Sequence, residues 1–258
     1  MKKHKICKIL LVILAIFLCV AFYELLGICV AYKKQPEVSN TTKKETKNGS
    51  WNECSENTER AVIIEKNPEA LLQRVRLIKN AKKEIILSTF AFQSDESGKL
   101  ILGALHDAAD RGVHIRLLVD GMESWIDMEG NPYFYGLSSH ENVEIKLYNK
   151  ANPLKPWKMM GRMHDKYLIA DGKTYILGGR NTYNYFLGDF PGHKNYDRDV
   201  LVVCDEPEKE NSVNQLLEYF ETIWEQEDSG YFHDNKKLAN RQSVKKAVLE
   251  LQEGYQQY

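Results

Sequence analysis

Three residue types in this chain are spaced for phosphoryl chemistry: His164, Lys166 and Asp171, in the run Arg162-Met-His-Asp-Lys-Tyr-Leu-Ile-Ala-Asp-Gly172, with Gly178-Gly179-Arg180-Asn181 close behind. Read as a strand over residues 163–170, the run alternates its side chains between faces, so His164, Lys166, Leu168 and Ala170 point the same way. An imidazole and an ammonium then converge on one point. Imidazole can attack phosphorus as a nucleophile, while a fixed ammonium and an amide such as Asn181 can hold the non-bridging oxygens where charge develops. Such chemistry needs neither a metal nor an organic cofactor. Asp171-Gly172 makes a tight turn, and residues 174–177 return as a second strand that delivers Gly178, Gly179 and Asn181 beside His164. Arg180 offers a fork of donors to a phosphate, or equally an ion pair to a nearby acid.

A His and a Lys two residues apart are usually a solvated pair; the surrounding pattern argues otherwise. His-x-Lys-x-x-x-x-Asp followed by Gly-Gly-x-Asn resembles the signature of the phospholipase D superfamily. The longer string Arg-x-His-x-Lys, with Ile-Leu-Gly-Gly-Arg-Asn and Tyr185-Phe186, is similar to its bacterial cardiolipin synthase branch, from about residue 60 to about residue 226. The resemblance implies phosphodiesterase or phosphatidyltransferase action on a phospholipid through a phosphohistidine. In it His164 is the nucleophile or its acid partner, and Lys166, Asn181 and Gly179 lie at the phosphate. It also implies an acid that hydrogen-bonds the catalytic His just ahead of the strand 200–204. Asp197 is the first choice for that role and Asp199 the second.

Enzymes of this superfamily set two such motifs face to face, one His attacking while the other protonates the leaving oxygen. This sequence holds one. Either two copies pair as a homodimer, as single-motif nucleases of the superfamily do, or a second-motif polypeptide supplies the other half. In the second case the chain reads as the front half of a two-motif enzyme whose back half is lost or separately encoded. The alternative functions are a single-motif homodimeric nuclease and a catalytically incomplete half-domain that serves as an assembly or membrane-tethering partner.

Charge narrows the substrate. The first 34 residues carry six Lys and one Glu, so with a net charge of −1 overall the remainder stands at −6, the opposite of the basic footprint expected of a nucleic-acid-binding face. Locally the sign reverses: Lys146, Lys150, Lys155, Lys158 and Arg162 fall between Glu144 and Asp165 with no acid among them. Lys158 and Arg162 are therefore candidate substrate contacts. Pro153, Leu154, Pro156, Trp157, Met159 and Met160 interleave with these cations. The segment reads either as a membrane-interface loop or as a solvated loop with its apolar residues tucked into the domain.

The elements that must position these groups follow from patterning. Residues 1–34 form a membrane anchor: Lys2, Lys3, Lys5 and Lys8 precede an apolar run over residues 9–32 broken only by Glu24, long enough to cross a core of about 30 Å. No small-x-small cleavage site follows it, and Leu26-Gly27-Ile28-Cys29 has Ile where a lipobox has a small residue. This predicts a single-pass protein of a bacterial cell membrane. Lysines at both ends leave its sidedness open. Residues 35–59 lack a periodic apolar face and read as a tether, followed by a domain over 60–228 and a helical connection over 229–258.

Within the domain, strands are expected at 61–64, 84–92, 113–120, 143–148 and 200–204, with helices from Asn67-Pro68 to Ala81, over 98–111, from Pro207 through Trp224 and over 236–257. Strand, helix, strand in that order implies an α/β fold with a mixed, largely parallel central sheet flanked by helices. Asp120 before Gly121 reads as a turn former, and Phe90 and Phe92 as core. His106 is expected on a polar helix face. Cys204 packs in the core, and Cys54 shows no metal spacing.

Overall fold

The computed structural model describes residues 2–33, 39–40, 43–44, 59–206, 211–233 and 236–258. Two compact units result, one of residues 1–55 with 151–161 and one of 56–150 with 162–258. Most of the expected tether, Cys54 and the expected helix start at Pro207 lie outside the described residues.

The larger unit is built on an eight-stranded sheet in the order β1-β7-β6-β5-β2-β3-β4-β8. Its strands are β1 (Glu59–Ile64), β2 (Glu84–Thr89), β3 (His114–Asp120), β4 (Val143–Tyr148), β5 (Lys166–Ala170), β6 (Thr174–Gly178), β7 (Asp199–Cys204) and β8 (Ser229–Tyr231). The sheet is mixed and flanked by helices, as expected, but its parallel part is confined to β2, β3 and β4. Among the described residues the other pairings are antiparallel, which corrects the expectation of a largely parallel sheet. Connection length accounts for part of this: the helical crossovers after β2 and β3 are long enough to return the chain parallel, whereas residues 171–173 can join β5 to β6 only as a hairpin.

Helices cover both faces. On one side lie α2 (Asn67–Asn80), α3 (Glu96–Asp110), α5 (Pro132–Ser138) and α7 (Gln242–Gln256). α2 starts on Pro68, whose missing N–H costs nothing in a first turn, and buries Ala70, Leu71, Val75 and Ile78 at helical spacing. The Asp95 side chain caps α3 by accepting from the Gly98 N–H at 3.0 Å. His106 of that helix is buried, not on a polar face, and its Nδ1 sits 3.1 Å from Asp110. Helix α7 packs on the domain: Val244, Ala247 and Leu251 are buried, and a Cβ on Gly103 would stand 2.8 Å from the Leu251 carbonyl.

On the opposite side α6 (Ser212–Trp224), capped by Asn211, lays Val213, Phe220 and Trp224 over Ile86, Tyr167, Ile169 and Cys204. Burial of Phe220 alone contributes about 2–3 kcal/mol. A short helix, α4 (Gly121–Asp127), follows β3 directly.

The smaller unit pairs α1 (Lys2–Lys33) with the loop 151–161. Within α1, Lys5–Ala31 is 27 residues long at mean hydropathy 2.9, long and apolar enough to cross a membrane. The Tyr23 hydroxyl donates to the Leu154 carbonyl at 2.9 Å, and the loop makes a single 3-10 turn at Pro156–Lys158.

Candidate active site

The register of β2 against β5 ends at Thr89 opposite Lys166. Beyond that pair the two chains part, and Phe90 meets His164 edge to face at 4.7 Å between ring centres. His164 therefore stands on the lead-in to β5, two residues ahead of the strand expected to contain it. The reason lies one residue earlier, where the Met163 N–H donates to Asp120 at 3.1 Å instead of to a neighbouring strand.

His164 and Lys166 nonetheless converge. The Lys166 ammonium donates to the His164 carbonyl at 2.7 Å and lies 5.4 Å from the Phe90 ring centre. Only 6% of Lys166 is exposed. That burial lowers its pKa, against the opposing pull of Asp165 and Asp197. The result is a desolvated cation beside an exposed imidazole, suited to gripping an anionic oxygen.

Asn181 arrives by a different route. Residues 179–182 are stitched to the end of β2 by Thr182 N–H to Ala91 O (3.0 Å), Gln93 N–H to Thr182 O (3.2 Å) and a Thr182–Thr89 hydroxyl contact (3.2 Å). The Asn181 side-chain oxygen accepts from the Ala91 N–H at 3.2 Å. Gly178 and Gly179 serve space. A Cβ on Gly179 would overlap the Asp197 carboxylate, and one on Gly178 would overlap that of Asp199. Asp197 is half-buried, and its carboxylate accepts from the Arg198 N–H at 2.7 Å. Among the described residues no hydrogen bond joins it to His164, although it is close enough to act on Lys166.

Other expected site residues are committed elsewhere. Asp171 sits at the far end of β5 with φ of 53°, a left-handed conformation that Asp tolerates. Its carboxylate accepts from the N–H groups of Lys82 (2.9 Å), Lys83 (2.7 Å) and Glu84 (3.1 Å), so it pins the hairpin to the start of β2, at the other end of β5 from Lys166. Arg180 is 1% exposed and donates to Asn67, Ile64 and Glu65. It also pairs with Asp199 at 3.3 Å, and Arg74 holds the same oxygen at 2.9 Å. Thus Arg180 grips a core acid, and one oxygen of Asp199 is shared by two arginines. Arg162 pairs with Asp120 (2.9 Å) and Glu123 (2.8 Å). Lys158 belongs to the smaller unit.

Two residues at the site escaped sequence reasoning. Phe90 was expected in the core with Phe92; only Phe92 is there, while Phe90 is half-buried under Arg162, His164 and Lys166. The signal was the β2–β5 pairing, which carries Phe90 past the ladder's end. Asp120 is more than a turn former: 1% exposed, it caps α4 through Met122 and Glu123 and also fastens Arg162 and Met163. Tyr219 donates to Asp165 at 2.9 Å; burial, then this bond, push its phenol up to about 12.

Comparison with known proteins gives the family. The model described as "Cardiolipin synthase, PLD-like domain" matches residues 74–224. An uncharacterized protein of Helicobacter pylori (strain ATCC 700392 / 26695) is 34% identical over 141 residues, covering 50% of this chain and 28% of its own length. Cardiolipin synthase C of Escherichia coli K12 is 29% identical over 171 residues, 61% of this chain and 34% of that protein. The chain thus spans about a third or less of these curated relatives. The solved structure of NucT from Helicobacter pylori superposes with a TM-score of 0.52 at 18% identity, covering 67% of this chain and 99% of that one, which establishes a shared fold.

Proposed function

Because the chain belongs to the phospholipase D superfamily, as a cardiolipin synthase-like member, we propose that it is one half of a membrane-anchored phosphatidyltransferase site. The observation that carries this reading is the convergence of His164, buried Lys166 and Asn181 at the joined ends of β2 and β5. An imidazole nitrogen of His164 attacks the phosphorus of a phospholipid diester, a P–N bond forms, and the P–O bond to the leaving alcohol breaks. The ammonium of Lys166 and the amide NH2 of Asn181 hold the non-bridging oxygens as charge builds. A second His, from another copy of this chain or from a second-motif polypeptide, protonates the leaving alkoxide. It then deprotonates the incoming hydroxyl, a glycerol-type alcohol for transfer or water for hydrolysis, whose oxygen bonds to phosphorus as the P–N bond to His164 breaks.

Asp197 supports the positive charge on Lys166. Asp120 and Phe90 are positioning residues, the first fixing Arg162 and Met163, the second filling the space between His164 and Lys166. Asp171 fastens the hairpin. α1 holds the site on a bilayer, where the substrate is.

The experiment is turnover of phosphatidylglycerol by the full chain in proteoliposomes, alone and with its His164→Ala variant, beside a parallel arm on single-stranded DNA. Phosphatidyl transfer or phosphatidic acid release that vanishes in His164→Ala supports the reading. DNA cleavage with lipid untouched, or lipid turnover retained by the variant, overturns it.

A further inference from the structure

The loop 151–161 is the one basic, aromatic segment of the sequence that the catalytic geometry leaves unexplained. Its apolar residues are not tucked away. Leu154 is 79% exposed, Met160 51% and Trp157 44%, with the exposed cations Lys155 and Lys158 between them. Only Pro156 of the group is buried, and the structure shows against what: a Cβ on Gly27 of α1 would lie 2.5 Å from the Pro156 ring and 3.1 Å from the Trp157 nitrogen. Gly27 is the one buried position of the described α1 side chains. The Tyr23 hydroxyl, one turn earlier, donates to the Leu154 carbonyl at 2.9 Å. The loop is seated on the helix at two points, where a side chain larger than hydrogen at residue 27 would prevent it.

The depth of that seat follows from length. The apolar span Lys5–Ala31 has 27 residues, about 40 Å of helix against a hydrocarbon core of about 30 Å. Counting the roughly 20 residues that cross the core from Lys8, the last lysine of the first cluster, brings the far boundary near Ile28. Tyr23 and Gly27 then stand at or just inside that boundary, the level at which Trp and Tyr rings settle and cations meet phosphate.

We propose that the loop 151–161 is a headgroup-binding element: seated on α1 at Tyr23 and Gly27, it lays Leu154, Trp157 and Met160 into the membrane interface and presents Lys155 and Lys158 to anionic phospholipid headgroups. This rests on α1 crossing a bilayer, part of the reading above, and not on the chemistry of His164. It commits the site to an anionic lipid surface. The same loop runs in sequence straight into Arg162, Met163 and His164, so lipid bound by it is held by the segment that leads to the nucleophile.

The test uses the full chain with its native cysteines replaced by alanine, Leu154→Cys carrying an environment-sensitive fluorophore, and brominated lipids in proteoliposomes of phosphatidylcholine with or without phosphatidylglycerol. No turnover is required, so failure here and failure of the catalytic reading are separable. The emission should fall at least twofold with brominated chains, and further when phosphatidylglycerol is present. Lys155→Gln with Lys158→Gln should erase the difference between the two lipids. Gly27→Leu, which drives a side chain into Pro156, should restore most of the emission while α1 still resists alkaline extraction. A label quenched by iodide but not by lipid overturns the inference and leaves the anchor standing, as does lipid quenching indifferent to Gly27→Leu and to headgroup. Extraction of α1 at alkaline pH overturns both.

Discussion

Replacing Asp120 by Asn probes how the proposed nucleophile is held. The carboxylate is 1% exposed. One oxygen takes Arg162 Nε at 2.9 Å, Met122 N–H at 3.0 Å and Glu123 N–H at 3.2 Å, and the other takes Met163 N–H at 3.1 Å. An asparagine can keep its carbonyl oxygen on the first set, but its NH2 then faces the buried Met163 N–H donor to donor. An unpaired buried N–H costs about 1–3 kcal/mol. Loss of the charge opposite Arg162 adds about 1 kcal/mol or less, because that guanidinium is 32% exposed and keeps Glu123. The sum, roughly 1–4 kcal/mol, corresponds to a fall in melting temperature of roughly 2–16 °C for a domain of this size.

Activity should suffer more than stability suggests. Met163 precedes His164, and misplacing a reacting group by about 1 Å costs on the order of a hundredfold. Thermal melts of the full chain in detergent, with kcat/KM on phosphatidylglycerol, measure both. Arg162→Ala serves as control, since it loses the ion pair but keeps the Met163 bond, and should lose less than tenfold. An Asp120→Asn protein that melts within about 1 °C of wild type and turns over within twofold would refute the bracket.

Lys166→Ala and Asn181→Ala should each lower kcat about a hundredfold or more, the scale for removing one preorganised donor, and Asn181→Ala should also lower the melting temperature because it leaves the buried Ala91 N–H unpaired; losses of rate under fivefold would remove either from the site. Gly179→Ala should match Asp197→Ala in rate, and the double variant should be no worse than either, because the new Cβ occupies the place of the Asp197 carboxylate; additive losses would separate the two residues. Burial lowers the pKa of Lys166 and Asp197 opposes it, so the alkaline limb of the pH–rate profile should fall below the ordinary lysine range, and lower still in Asp197→Asn. In the window between the lowered folded value and the ordinary one the unfolded chain binds more protons, so this group's contribution to stability rises with pH there. A limb at the ordinary lysine value would contradict the buried cation. Chelator treatment should leave the rate unchanged, since Lys166, Asn181 and the partner half-site supply the positive charge; strict dependence on added magnesium or zinc would speak for a different chemistry.

What was legible in the sequence was whatever local physics fixes. Asn67-Pro68 and the apolar periodicity over 98–111 announced helices, Asp171-Gly172 announced the hairpin, and the apolar runs of β2 and β3 announced buried parallel neighbours. The trio His164, Lys166 and Asn181 followed from motif spacing. Spacing, however, names residue types and not where their side chains go. The positive φ of Asp171 turns its carboxylate back to the backbone at Lys82–Glu84, which no count along the chain could show. Arg180 lies beside Asn181 in sequence, yet points the other way, into a core pair with Asp199. Phe90 and Phe92 share a strand-like pattern, but β2 ends at Thr89, so one ring reaches the site and the other the core. Asp120 and Arg162 are far apart in the chain, and only the packed sheet brings them together.

The claim on which the rest depends is that this chain carries half of a paired site. Single-chain nanodiscs test it most directly: full-length protein loaded at one chain per disc is compared, under saturating phosphatidylglycerol, with discs holding two chains and with one-chain discs given a second-motif polypeptide. One-chain discs should be silent, and turnover should appear in at least one of the two paired preparations, because a lone His164 has no second imidazole to protonate the leaving oxygen. Full phosphatidyl transfer from discs that hold a single chain and no partner would contradict it.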